Sequence, residues 1–215
     1  MSAGMSILLI TAALVYFGVA QRLLDRMKLT DSQALIFIGL MIAGSFVTIP
    51  IVTGQTTVGV NLGGAVVPLV IVVYLLATAD TGYEKVRSVV ASLVTAGIVY
   101  GISQYTDFDP PSGRDILDPL WLFSIVAGIV GYLAGRSRRA SFIAGVLGIL
   151  LADLIHLVRA FVTELPTRVI LGGAGIFDTM VLAGLIAVGL AEVIGETRER
   201  VQGGPSQPNE DGAES

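Results

Sequence analysis

The residues best able to do chemistry lie in one apolar run, Leu150-Leu151-Ala152-Asp153-Leu154-Ile155-His156-Leu157-Val158-Arg159. Asp153, His156 and Arg159 recur at every third residue, which aligns them along one face of a helix, and every residue between them is apolar. A further acid, Asp178, follows Leu171-Gly172-Gly173-Ala174-Gly175-Ile176-Phe177. An ionised carboxylate in hydrocarbon is costly, so such acids turn toward a bundle interior, a cavity or a partner. There a carboxylate can take up a proton or a cation, an imidazole can relay a proton, and a guanidinium can pair with an acid or contact an anion. The same four side chains could instead hold helices together, with Arg159 snorkelling to an interface. Gly63, Gly64, Gly172, Gly173 and Gly175 permit close backbone approach and can expose N–H groups at the positive end of a helix dipole.

The elements that must position these groups are membrane spans. The chain has 215 residues, 53% hydrophobic and only 14% charged, with 26 glycines and a mean hydropathy of +0.81. A soluble domain carries roughly 25% charged residues, so much of this surface faces something other than water. There is no Cys, which excludes disulfides, thiolate nucleophiles and Cys-ligated metals. The single histidine excludes a multi-His site within one chain, and the net charge of −4 gives no reason to expect nucleic acid. No cofactor or metal is expected.

Stretches near the ~20 residues that a bilayer requires run from Met5 to Leu23, Ala34 to Val52, Val60 to Ala79, Val86 to Gln104, Pro119 to Gly135, Ala140 to Val162 and Val169 to Ile194. The expected fold is therefore an all-α, multi-pass bundle of seven transmembrane helices. The first stretch lacks the basic start of a cleavable signal and reads as a retained helix. Arg22, Arg26, Lys28, Lys85, Arg87, Arg136, Arg138, Arg139, Arg198 and Arg200 fall on one side of a seven-span arrangement, leaving Arg114, Arg159 and Arg168 for the rest. That bias makes the first side cytoplasmic, with the N-terminus outside and the C-terminus inside. Residues 1–195 form a single transmembrane domain, and 196–215 read as a disordered acidic cytoplasmic tail containing Glu210, Asp211 and Glu214. Asp107, Asp109, Asp115 and Asp118 place an acidic loop outside, a pattern that solvation alone explains.

Depth brings the acids together. At 1.5 Å per residue, Asp153 lies about 20 Å above the start of its span and Asp178 about 12 Å below the start of its own. In a core of about 30 Å, both reach a similar level on consecutive antiparallel helices. Thr48 and Asn61 also fall in the outer half, so one polar cluster or outward-facing cavity is expected. Leu62-Gly63-Gly64-Ala65 and Leu171-Gly172-Gly173-Ala174 open corresponding spans, and Phe37-Ile38 and Phe142-Ile143 sit at similar offsets. These matches suggest a parallel 3+1+3 repeat, although such residues dominate the composition throughout.

Four segments resemble a known family: Gly44-Ser45-Phe46-Val47-Thr48-Ile49-Pro50-Ile51, Val60-Asn61-Leu62-Gly63-Gly64-Ala65-Val66-Val67-Pro68, Leu147-Gly148-Ile149-Leu150-Leu151-Ala152-Asp153-Leu154, and Gly172-Gly173-Ala174-Gly175-Ile176-Phe177-Asp178-Thr179. Together they are similar to prokaryotic integral-membrane proteins grouped as domain-of-unknown-function family 1614, over most of the chain up to about residue 191. The chain departs from that pattern at Thr48, where Asn is frequent, and at Thr179, where Gly is. The resemblance implies the membrane topology and the two aspartates as family features, and it implies no activity.

Three functions compete. An ion-coupled or small-solute transporter in the cell membrane would use Asp153 and Asp178 for a proton or cation, with Pro50 and Pro68 supplying helix breaks. An intramembrane aspartyl protease would use the same pair to activate water. Such proteases place Asp directly after Gly-x-Gly, whereas here Ile176 and Phe177 intervene and turn Asp178 by about 200°. A non-catalytic assembly or sensor component would need neither. A metal held by Asp153, His156 and Asp178 would have only three ligands across two helices. The motifs favour a non-enzyme in contact with the lipid bilayer, and they leave substrate and oligomeric state open. Whether the two aspartates face one cavity is the deciding observation.

Overall fold

The computed structural model describes Met27 and residues 29–54, 56–105, 119–163, 168–173 and 178–201. The first expected span, the acidic loop 106–118, Gly175 and the tail beyond Val201 lie outside the described residues. Six α-helices dominate the rest: α1 (Asp31–Gly44), α2 (Val67–Ala77), α3 (Gly82–Ser103), α4 (Pro119–Gly135), α5 (Arg138–Val162) and α6 (Thr179–Val201). Two of them, α3 and α5, are long and apolar enough to cross a membrane, which points to a membrane location. Helices α1, α2 and α4 are shorter apolar helices, and the apolar part of α6 is Thr179–Gly195.

Their starts follow from local chemistry. Thr30 caps α1 through a reciprocal box with Gln33, and Thr81 and Ser137 accept N–H bonds at the starts of α3 and α5. Each satisfies a donor that the first helical turn leaves unpaired. Helix α5 lies at the centre, packed against α2, α3, α4 and α6. Small residues bring these helices close. A Cβ at Gly148 would come within 2.4 Å of Thr95 on α3, and one at Gly145 within 2.8 Å of the Ala183 carbonyl on α6.

The direction of each helix is read from its cross-contacts. Ser92 on α3 reaches the Ile143 carbonyl on α5, and Ser103 reaches His156. Residue numbers rise together, so α3 and α5 run the same way. Arg138 near the start of α5 pairs with Glu192 late in α6, and Arg139 reaches Thr78 beyond the end of α2. Helices α2 and α6 therefore run opposite to α5. Helix α4 does too, since Gly131 and Gly135 abut Gly145 and Ser141.

The all-α expectation needs correction at one end of this bundle. Three strands, β1 (Thr48–Val52), β2 (Thr57–Asn61) and β3 (Arg168–Leu171), form a small sheet with β2 in the middle. β1 pairs antiparallel with β2, with Thr48 opposite Asn61. β3 pairs parallel with β2, with Val60 opposite Leu171. The expected second, third and seventh spans thus end or begin as strands rather than helix. Hydropathy cannot tell an apolar strand from an apolar helix over so few residues. β-branched Ile49, Ile51, Val52, Val58, Val60, Val169 and Ile170 favour the strand, and Pro50 lies on an edge strand where its missing N–H is tolerated. From β2 the chain passes through one π-helical turn, Leu62–Val66, into α2.

Candidate functional site

Between the sheet and the end of the bundle lies a cavity of about 340 Å³. Its chemistry comes from Ser103, Asp153, His156, Arg168, Asp178 and Thr179. Helices α3, α5 and α6 and strand β3 converge to build it. Asp153 and His156 project from α5 one turn apart, Ser103 ends α3, Arg168 begins β3, and Asp178 immediately precedes α6.

Asp178 is buried, at 8% exposure. Its Oδ1 accepts the Met180 N–H at 3.0 Å, and its carbonyl accepts from Val181 and Leu182. It is the N-cap of α6, where the helix dipole favours a negative charge. Asp153 differs. It is half-buried in the cavity wall and makes no hydrogen bond or ion pair with any described residue. Both carboxyls line this one cavity. His156 is held on two sides: Nε2 lies 2.8 Å from the Ser103 hydroxyl, and its ring stacks at 4.9 Å, tilted 53°, on Tyr100. An imidazole thus stands one turn from a carboxyl with no described partner, with a guanidinium on the same wall.

Not every residue singled out by sequence reaches this cavity. Arg159 is exposed and donates to Gln104, so it ties the ends of α5 and α3 together outside the wall. Thr48 and Asn61 meet each other instead. The Asn61 amide donates to the Ser45 carbonyl at 2.8 Å and to the Thr48 hydroxyl at 3.0 Å, while its oxygen accepts the Gly64 N–H at 2.9 Å. Those bonds lock the β1–β2 hairpin onto the π-helical turn. Of the glycines, Gly63 packs on the Met41 carbonyl, where a Cβ would sit 2.1 Å away, and Gly64 on the Gly172 carbonyl at 2.3 Å. Gly172 has φ +69 and faces the Ala65 nitrogen, while Gly173 abuts Ile170. Leu62-Gly63-Gly64-Ala65 and Leu171-Gly172-Gly173 therefore meet backbone to backbone at Gly64 and Gly172.

Sequence reasoning missed Ser103, Arg168 and Tyr100 as neighbours of His156 or of the acids. Ser103 continues the spacing of Ser88, Ser92, Thr95 and Val99 along one face of α3, the face turned to α5, so a helical-wheel reading could have found it. Arg168 follows residues 164–167 and carries no such signal. Among the described residues no group of three His, Asp or Glu side chains converges to hold a metal ion.

A family model described as a protein of unknown function (DUF1614) matches residues 19–190. No curated protein and no solved structure matches the chain. The matched stretch spans most of the sequence and takes in every described residue of the cavity, from Val99 on α3 to Thr179 on α6, so the chain belongs to the DUF1614 family of proteins of unknown function.

Proposed function

We propose that this chain is a multi-pass membrane protein, with seven spans, the N-terminus outside and the C-terminus inside, that binds and moves a proton or small cation through the Asp153–His156–Asp178 cavity. One observation carries the reading: a carboxyl with no described partner, Asp153, shares a cavity inside a candidate spanning bundle with a second acid and an imidazole. Ionisable groups at such depth mark ion or proton pathways more often than packing. Support for the orientation comes from the described basic residues. Lys85, Arg87, Arg136, Arg138 and Arg139 lie at the end where α3 and α5 start, and Arg159 and Arg168 lie at the sheet end. The bias matches that of cytoplasmic loops. The short helices α1 and α2 are continued by β1 and by β2 with the π-helical turn. Such irregular backbone is tolerated at membrane depth where protein or a cavity covers it.

The test is ion flux into liposomes containing the purified protein. Asp153→Asn keeps the shape of the side chain and removes its charge, and flux is expected to fall to the level of protein-free vesicles. Wild-type flux in that variant would eliminate the carrier role. A non-catalytic assembly or sensor component is the second reading, favoured by the capping role of Asp178. In that case neither proton nor sodium flux appears with the wild-type chain. The intramembrane protease reading requires both aspartates to present oxygens to water, and it predicts cleavage of a membrane peptide that Asp153→Asn abolishes.

A further inference from the structure

At the opposite end of the bundle a second cavity, of about 480 Å³, opens between the starts of α3 and α5 and the far half of α6. Glu84, Arg136, Ser137, Arg138 and Arg139 supply its polar wall. The carboxylates there are already engaged. Arg138 donates through Nε to Glu192, and Arg139 reaches Asp80 at 3.1 Å and Glu84 at 3.6 Å.

The cations are not balanced in return. Asp31, Asp80, Glu84 and Glu192 stand against Lys85, Arg87, Arg136, Arg138 and Arg139, four acids to five bases among the described side chains of this end. Arg136 is exposed in the turn joining α4 to α5, with φ 57, and makes no ion pair with any described residue. Arg87 lies one turn along α3 from Glu84, and one of its terminal nitrogens is buried without a hydrogen-bond partner. A buried charged donor left unpaired is costly, so this end offers more donors than its own carboxylates use. The α6 side of the cavity is bare. Among the described residues it consists of Ala191 and Gly195, and of those residues a Cβ on Gly195 would meet only Arg138, at Nη2, 3.7 Å away.

We infer that this cavity binds a phosphate group, with Arg136 and Arg138 as its principal contacts and Arg139 held in place beside them by Asp80 and Glu84. A tetrahedral phosphate presents more acceptor oxygens than a carboxylate, and guanidinium forks engage them in pairs. The phosphate comes from an anionic phospholipid headgroup or from a soluble phosphate. The lipid source rests on the membrane reading above, since basic pockets between spanning helices bind headgroups. The soluble source does not.

The experiment uses the full chain purified in detergent. It is mixed with phosphatidylglycerol, phosphatidylcholine or inorganic phosphate, then examined by native mass spectrometry and thermal melting. Retention of phosphatidylglycerol over phosphatidylcholine, with a raised melting temperature, identifies the lipid source. A rise with inorganic phosphate beyond that with chloride at equal ionic strength identifies the soluble one. Arg136→Gln removes an exposed side chain that makes no ion pair with any described residue, so it is expected to fold and to lose either effect. Gly195→Leu fills the cavity without removing any guanidinium, and it should lose the effect too. Equal retention of both lipids together with no phosphate-specific rise overturns the inference. So does binding that survives both substitutions. Ion flux plays no part in these readouts, so a failed carrier test leaves them standing.

Discussion

Asp178 serves the fold and the cavity with one side chain. Its Oδ1 caps α6 through the Met180 N–H while the residue lines the same wall as Asp153. Two substitutions separate these duties. Asp178→Ala removes the cap and is expected to destabilise the protein by about 1 kcal/mol, read as a lower melting temperature in detergent. Asn caps a helix about as well as Asp, so Asp178→Asn should melt close to wild type while losing ion flux. A variant that lost the cap yet melted with the wild type would show that α6 does not depend on it. Ser103→Ala makes a narrower change. It removes the hydroxyl partner of His156, a bond whose net worth is about 1 kcal/mol. The expected result is a small loss of stability and a larger loss of flux, because the imidazole ring would be held only by Tyr100.

Where elements meet, glycine decides what can approach. Gly64 and Gly172 bring the π-helical turn and the end of β3 into backbone contact, with 2.3 Å between a Gly64 Cβ and the Gly172 carbonyl. At Gly172, φ +69 adds a conformation that costs a side-chain-bearing residue about 1–2 kcal/mol before any clash. Gly172→Ala is expected to abolish recovery of folded protein from membranes. Gly39 offers the contrast. It lies inside α1, and a Cβ there would meet nothing within 4 Å, so Gly39→Ala should stabilise by about 0.5–1 kcal/mol through helix propensity. If the two variants melted alike, the close approach of the Gly-Gly segments would not matter to the fold.

Across the whole molecule, length and charge set a testable orientation. The 22 residues of α3 reach about 33 Å at 1.5 Å each, enough to cross a hydrocarbon core of about 30 Å. Tyr83 at one end is 75% exposed and Tyr105 just beyond the other is 91% exposed. The absence of cysteine makes each a clean labelling site. Tyr83→Cys is expected to react with a membrane-impermeant maleimide only from the cytoplasmic side, and Tyr105→Cys only from outside. Labelling of both from one side would mean that α3 does not cross. The large apolar side chains exposed along α3 and α5, among them Val86, Val89, Val90, Leu93, Val158 and Phe161, match a surface bathed in acyl chains rather than water.

Sequence alone determined the apolar stretches that become α3, α4 and α5, because a run of about 20 apolar residues has few other uses. It also determined that Asp153 and His156 share a face, since the helical repeat fixes side chains three residues apart. Tertiary structure decided the rest. The sheet was hidden because hydropathy counts apolar side chains and is blind to backbone geometry. Thr48 and Asn61 are expected at the depth of the acids, yet their hydrogen bonds commit them to a hairpin, a pairing set by strand register. Arg159 continues the face of Asp153 and His156, but its long side chain follows the Gln104 acceptor away from the cavity. Arg168 enters instead, because parallel pairing of β3 with β2 carries the start of that strand to the cavity wall. Contacts between residues far apart in the chain are set by packing and register, and no local spacing encodes them.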